Sequence, residues 1–231
     1  MDIKKLTKQQ LAGIFDHTNL KSYATEADFR KLCNEAKEIK AAMVAINPAP
    51  VRFCKQQLAG TGIHVGAAIA FPLGQITIEE KIQETRMAIC DGADEIDYVL
   101  NIGQLIAGNY SYIEKEMQEI VMCCRQSGVI SKVIFENCYL NSDQIQQAAE
   151  IAREVKPDFI KTSTGFGASG AKVKDVELMK KVVGDSVKVK AAGGIRDLQT
   201  CLAMVAAGAE RIGTSSSLKI LEEFDKEFRK M

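Results

Sequence analysis

The sequence predicts an α/β protein, a (β/α)8 TIM barrel with a short N-terminal helix, and three observations carry that expectation. Short β-branched runs alternate with amphipathic segments, the pattern of a parallel sheet covered by helices. The candidate strands number eight, at residues 15–18, 43–47, 64–70, 95–101, 132–137, 159–163, 187–191 and 211–214. All of this fits within 231 residues, the size of a compact barrel, whereas a doubly wound open sheet would require no such count.

Taken in chain order, residues 6–14 read as a helix that closes the bottom of the barrel. The first strand, FDHT, ends on polar residues; the second runs into an Asn47-Pro48 turn and the third into FPLG at 71–74. The stretches TIEEKIQETRMAICDGA, SYIEKEMQEIVMCCRQSG and LQTCLAMVAAGAE place apolar residues three and four apart and carry Gly near their ends, as outer-ring helices do. No linker or low-complexity tract interrupts the series, so one domain is expected over 1–231.

Thirty basic residues balance thirty acidic ones. Net charge therefore offers no reason to expect nucleic acid or a membrane surface as partner, and any substrate must be caught by local chemistry. The opening MDIKKLTKQQLAGIF lacks a signal-peptide apolar core, and no stretch approaches the ~20 apolar residues of a membrane span, so a cytoplasmic protein is expected. Seven scattered cysteines without CxxC fit reduced thiols better than a disulfide framework. Neither His17 nor His64 belongs to a zinc-binding pattern, so neither metal nor organic cofactor is expected.

Charges inside apolar strands are the informative residues. Asp97 shares a strand face with Val99 and Asn101, Glu136 follows the run VIF, Lys161 follows Phe159 and Ile160, Lys188 and Lys190 share a face, and Asp16 ends the first strand. A charge in a closed barrel costs several kcal/mol unless paired, and strand ends are where barrels carry chemistry. Asp97, Glu136, Lys161 and Lys190 are therefore expected to enter one cavity at the C-terminal mouth. Two neighbouring lysines, desolvated and of like charge, disfavour the ammonium form, and a free amine attacks carbonyls. Asp97 is a suitable proton shuttle for the steps that follow. On this reasoning either lysine could be the nucleophile.

AAGGIRD after the seventh strand and GTSSS after the eighth put Gly and small hydroxyls before helices, a common phosphate site in barrels. Gly193, Gly194, Ser215 and Ser216 are the candidate ligands, with Thr164 and Gly165 from TSTGFGASGA as further ones. Asp16 and Thr18 are candidates for substrate hydroxyls, while His17 is expected to face away and be structural.

The motifs DHT, FPLG, GADEIDYVLNIG, KVIFEN, DFIKTSTGF, VKAAGGIR and RIGTSS, spread over nearly the whole chain, closely resemble the 2-deoxyribose-5-phosphate aldolases, a class I aldolase family. The resemblance implies Lys161 as the Schiff-base lysine, with Asp97 and Lys190 in proton transfer and activation. It also implies reversible cleavage of 2-deoxy-D-ribose 5-phosphate to D-glyceraldehyde 3-phosphate and acetaldehyde, so the expected partners are a small phosphorylated sugar and acetaldehyde. A homo-oligomer, dimer or tetramer, is left open. Three departures from the family pattern bear on rate and donor scope rather than reaction class. Asn137 stands where Thr is common, Ala45 where Cys is often found, and the tail EEFDKEFRKM has no terminal Tyr. The rival readings are a phosphosugar isomerase or other Schiff-base aldolase, and a catalytically silent metabolite-binding barrel.

Overall fold

A computed structural model describes residues 6–228. Strands β1 (Phe15–Thr18), β2 (Met43–Ile46), β3 (His64–Ile69), β4 (Glu95–Val99), β5 (Ile130–Ile134), β6 (Phe159–Lys161), β7 (Lys188–Ala192) and β8 (Arg211–Thr214) pair in parallel in chain order. β8 closes on β1 through Asp16 opposite Gly213, completing the expected barrel. The helices are α1 (Lys8–Ala12), α2 (Glu26–Ile39), α3 (Val51–Gln57), α4 (Ile78–Cys90), α5 (Ile102–Ile106), α6 (Tyr110–Gln126), α7 (Ser142–Val155), α8 (Val173–Val183), α9 (Leu198–Ala206) and α10 (Ser217–Phe228). Among the described residues no helix is long and apolar enough to cross a membrane.

Strand alternation divides the barrel into two environments. Val44, Val65, Ile96, Tyr98, Val133, Ile160, Val189 and Ile212 point outward and are fully buried beneath the helices. Each such side chain contributes roughly 1.5–3 kcal/mol relative to exposure. The inward face holds charge instead, and small residues make room for it. A Cβ on Gly66 would lie 2.3 Å from Met43 Sδ, and one on Gly213 would lie 3.3 Å from Lys190 Cε.

Helix starts follow local chemistry. Thr25, Thr77 and Asn141 cap α2, α4 and α7, each in a reciprocal bond with the residue at the third helical position. The N-terminal helix is shorter than the sequence suggests: Thr7 caps it in the same way, Gly13 ends it, and Lys8 meets Asp225 of α10 at 2.6 Å.

Several strands also end earlier than expected. β3 stops before Ala70, whose φ is +50°, and β4 stops before Asn101, which caps α5 through Gln104 N–H. β5 starts two residues early and stops before Glu136, whose backbone is left-handed at φ 57° and ψ 60°. Pairing outlasts the formal strand, since Phe135 N–H reaches the Lys161 carbonyl and Asn137 N–H reaches that of Thr162.

Candidate active site

Register brings the interior charges together. Asp97 on β4 lies opposite Lys132 on β5, Lys161 on β6 opposite Lys190 on β7, and Lys190 opposite Arg211 on β8. Asp97 Oδ2 accepts from Lys161 Nζ at 2.8 Å and from Lys190 Nζ at 2.5 Å, while Oδ1 accepts from Lys132 Nζ at 2.7 Å. Lys190 also pairs with Asp16, and Lys132 with Glu95. Arg211 joins the two remaining carboxylates, donating to Asp16 Oδ1 at 2.5 Å and to Glu95 Oε1 at 3.1 Å. His64 Nδ1 meets Glu95 at 2.7 Å from the other end of the barrel.

Electrostatics separates the lysines. Burial pushes the Lys161 ammonium down, the positive charges of Lys190 and Lys132 add to this, and the pull of Asp97 leaves it at about 8. Roughly a tenth of the amine is then free near neutrality, against a few parts in ten thousand for an ordinary lysine. Burial also disfavours the Lys132 ammonium, but Asp97 and Glu95 outweigh it and hold that group above the usual lysine range. Asp97 is driven upward by burial and further downward by its three ammonium neighbours, so it remains a carboxylate.

Above this cluster lies a cavity of about 220 Å³ at the C-terminal ends of the strands. Lys161 and Lys190 form part of its floor, and Gly165, Gly193, Gly194 and Ser215 part of its wall. Lys21 and Arg196 add cationic side chains to the lining. Gly165, Gly193 and Gly194 all have φ between 77° and 89°, conformations suited to glycine in phosphate-cradling turns. The loops after β6 and β7 are laced together: Ala171 N–H reaches the carbonyls of Ala192 and Gly193, and a Cβ on Gly170 would lie 2.1 Å from the Gly193 oxygen.

Not every candidate residue takes the expected place. Glu136 lines a smaller neighbouring cavity with Pro72, Leu73 and Tyr139, not the one holding the lysines, because its left-handed backbone breaks the alternation of β5. Its carboxylate accepts from Thr164 N–H at 3.2 Å and from the Thr164 hydroxyl, so Thr164 reaches the main cavity with its donors already engaged. Asp16 is fully buried below Lys190 and is not part of the lining; Thr18 does line the cavity, but its hydroxyl donates to the Asp16 carbonyl at 2.8 Å. Ser216 stands outside the lining and gives its N–H to Thr214 Oγ1 at 2.9 Å.

His17 faces away from the cavity, as expected, between Glu35 at 2.9 Å and Ser217 at 3.1 Å. Ala45 lines the cavity, whereas Asn137 is buried with Nδ2 3.4 Å from Met179 Sδ. The last three tail residues lie outside the described residues. Sequence reading missed Glu95, Lys132 and Arg211. All three open their candidate strands, where residue type alone does not separate an inward charge from a solvated one; for Glu95 the face it shares with Asp97, two residues on, was a further signal.

A closed β/α barrel with a desolvated amine, a carboxylate and a second ammonium at its C-terminal mouth defines a class of protein, the barrel enzymes equipped for carbonyl chemistry. The sequence profile of the DeoC/LacD family aldolases matches residues 11–223. A deoxyribose-phosphate aldolase of Lactobacillus acidophilus is 62% identical over 218 residues, covering 94% of this chain and 92% of that protein. One from Bacteroides thetaiotaomicron is 52% identical over 228 residues, covering 99% and 95%. The tetrameric deoxyribose phosphate aldolase structure from Aeropyrum pernix superimposes with a TM-score of 0.89 at 30% identity, covering 96% of this chain and 93% of the other. The chain belongs to the DeoC/LacD aldolase family and is a carbon–carbon lyase.

Proposed function

We propose that the protein reversibly cleaves 2-deoxy-D-ribose 5-phosphate to D-glyceraldehyde 3-phosphate and acetaldehyde through a Schiff base on Lys161. The carrying observation is that Lys161, at the cavity floor, meets a single carboxylate oxygen and shares it with Lys190. Lys190 is held by a second carboxylate, Asp16, whereas Lys161 pairs with Asp97 alone, which leaves Lys161 to act as the nucleophile.

The free amine adds to the C1 carbonyl, and loss of water from the carbinolamine gives an iminium. The C2–C3 bond then breaks, its electrons flowing into the iminium to form an enamine, while the C3 hydroxyl loses its proton and becomes the aldehyde of the departing triose phosphate. Protonation of the enamine at C2 and addition of water release acetaldehyde and the amine. Asp97, in contact with Lys161 and Lys190 through one oxygen, is placed to move protons in these steps. Gly193, Gly194, Ser215 and Gly165 receive the phosphate, with Lys21 and Arg196 supplying positive charge. A cytoplasmic setting belongs to the same reading and rests on the odd, scattered cysteine set. So does a homo-oligomer, supported by the tetramer named for the Aeropyrum relative.

Borohydride reduction in the presence of acetaldehyde tests the assignment. The wild type should gain one ethyl group, mapped by peptide mass spectrometry to Lys161. A label on Lys190 would reverse the roles of the two lysines, and no label on either would end the Schiff-base reading.

A further inference from the structure

The interior charges form a closed ring. Asp16 meets Arg211, Arg211 meets Glu95, Glu95 meets Lys132, Lys132 meets Asp97, Asp97 meets Lys190, and Lys190 returns to Asp16. Three carboxylates and three cations alternate around it, so the ring is electrically neutral. Each ring cation bridges two carboxylates. Lys161 hangs from the ring at Asp97 Oδ2 alone, a fourth cation that meets no fourth carboxylate among the described residues.

We propose that Arg211 is a positioning residue for the reaction: by closing the ring on Asp16 and Glu95, remote from the cavity, it makes Lys161 the one interior amine without a carboxylate of its own. Arg211 does not line the cavity and packs over the Phe159 ring at 5.3 Å. Its planar fork spans two carboxylates from different strands, giving each a separate nitrogen. Around it stand Asp16 from β1, Glu95 from β4 with His64 from β3 behind it, and Lys188 from β7 over the same Phe159 ring at 5.5 Å. Without Arg211, three carboxylates face three lysines. Asp16 and Glu95 then draw Lys190 and Lys132 toward themselves, Asp97 is left to Lys161, and neutrality requires Lys161 to stay protonated. The low value of Lys161 fits the intact ring.

This inference rests on the proposed Schiff-base chemistry, and its test reads the amine independently of catalysis. The pH dependence of Lys161 acetylation by trace acetic anhydride, followed by peptide mass spectrometry, gives the free-amine fraction whether or not the protein cleaves a sugar. In the wild type the labelling should rise through about pH 8. In Arg211→Met the midpoint should move up by about one unit or more, an approximately tenfold loss of free amine at neutral pH. Both labelling and turnover should recover at high pH. Arg211→Lys, which keeps the charge, should stay closer to the wild type. Glu95→Gln removes a ring carboxylate instead and should move the midpoint down, so the idea is testable even if Arg211→Met does not fold. An unmoved midpoint in Arg211→Met with activity lost equally at every pH, or an upward or absent shift in Glu95→Gln, overturns the proposal. If the midpoints shift as expected while acetaldehyde and borohydride leave Lys161 unlabelled, the ring stands and the Schiff-base reading falls.

Discussion

Three ammonium groups converge on Asp97, and the consequences of changing it or its neighbours differ in kind. Asp97→Asn keeps the shape but removes the carboxylate charge that touches both Lys161 and Lys190, and with it the proposed proton acceptor. Turnover should fall by about 10²- to 10⁴-fold, the usual worth of a positioned acid–base group, as read by steady-state kinetics on deoxyribose 5-phosphate. Lys190→Leu acts on charge: Lys161 loses a cationic neighbour and gains sole use of Asp97 Oδ2, so its ammonium becomes more stable. The acid limb of kcat/KM should then move to higher pH; a limb that stayed in place while kcat fell would mean that Lys190 contributes only proton transfer. Lys161→Leu should abolish imine trapping altogether.

Two junctions between elements carry effects of their own. The loops after β6 and β7 meet where Gly170 passes the Gly193 carbonyl, a spot with no space for a methyl group. Gly170→Ala should separate them and disturb the cavity wall proposed to receive the phosphate, raising KM for the phosphorylated sugar while changing activity on unphosphorylated deoxyribose much less. Equal losses on both substrates would place the damage elsewhere. On the outer ring, Lys81 of α4 and Glu116 of α6 form a fully buried pair at 2.6 Å. Lys81 also donates to the Val99 carbonyl, and Glu116 accepts from Asn101 N–H, so the pair clamps the exit of the strand that carries Asp97. Lys81→Met alone strands a buried carboxylate and should cost about 3–5 kcal/mol in urea unfolding, whereas adding Glu116→Leu should recover much of that loss.

For the molecule as a whole, the ring ties stability to pH. Both Glu95 and Asp97 are pushed upward by burial but held below the ordinary carboxylate range by their cationic neighbours. Their contribution is complete above the unfolded values near 4 and is lost as pH falls through the folded ones. Glu116, raised by burial, acts with the opposite sign, losing stability as pH rises through its own window. Among the buried carboxylates two depressed groups stand against one raised one, and the helix-capping Asp28, Glu80 and Asp197 are depressed as well. Urea stability should therefore decline as the medium is acidified below about pH 4, with Glu95→Gln declining less steeply. A wild-type profile flat to pH 2 would contradict this.

The barrel itself was legible from strand count and alternation, because a period of two survives in short apolar runs. Lys161, Asp97 and Lys190 were legible because a charge flanked by Val, Ile and Phe has no solvent to explain it. Lys132 and Arg211 were not, since a basic residue opening a strand looks solvated until the closed sheet turns it inward. The displacement of Glu136 to the neighbouring cavity depends on one left-handed residue, and nothing in the run VIFEN announces it. Engagement of the Thr164, Thr18 and Ser216 donors is likewise a matter of loop geometry that residue type does not carry.

The bond between Asp16 and Arg211 spans 195 positions of sequence, from the first strand to the last. On a ribosome, a chain synthesised as far as β7 already contains Asp97, Lys161 and Lys190, yet the partner that completes the ring has not been made. Such a nascent chain holds a reactive lysine whose ionisation is not yet set. On the proposed chemistry, competence arrives late in translation, and a carbonyl-trapping assay on stalled chains of increasing length should switch on only after β8 has cleared the exit tunnel.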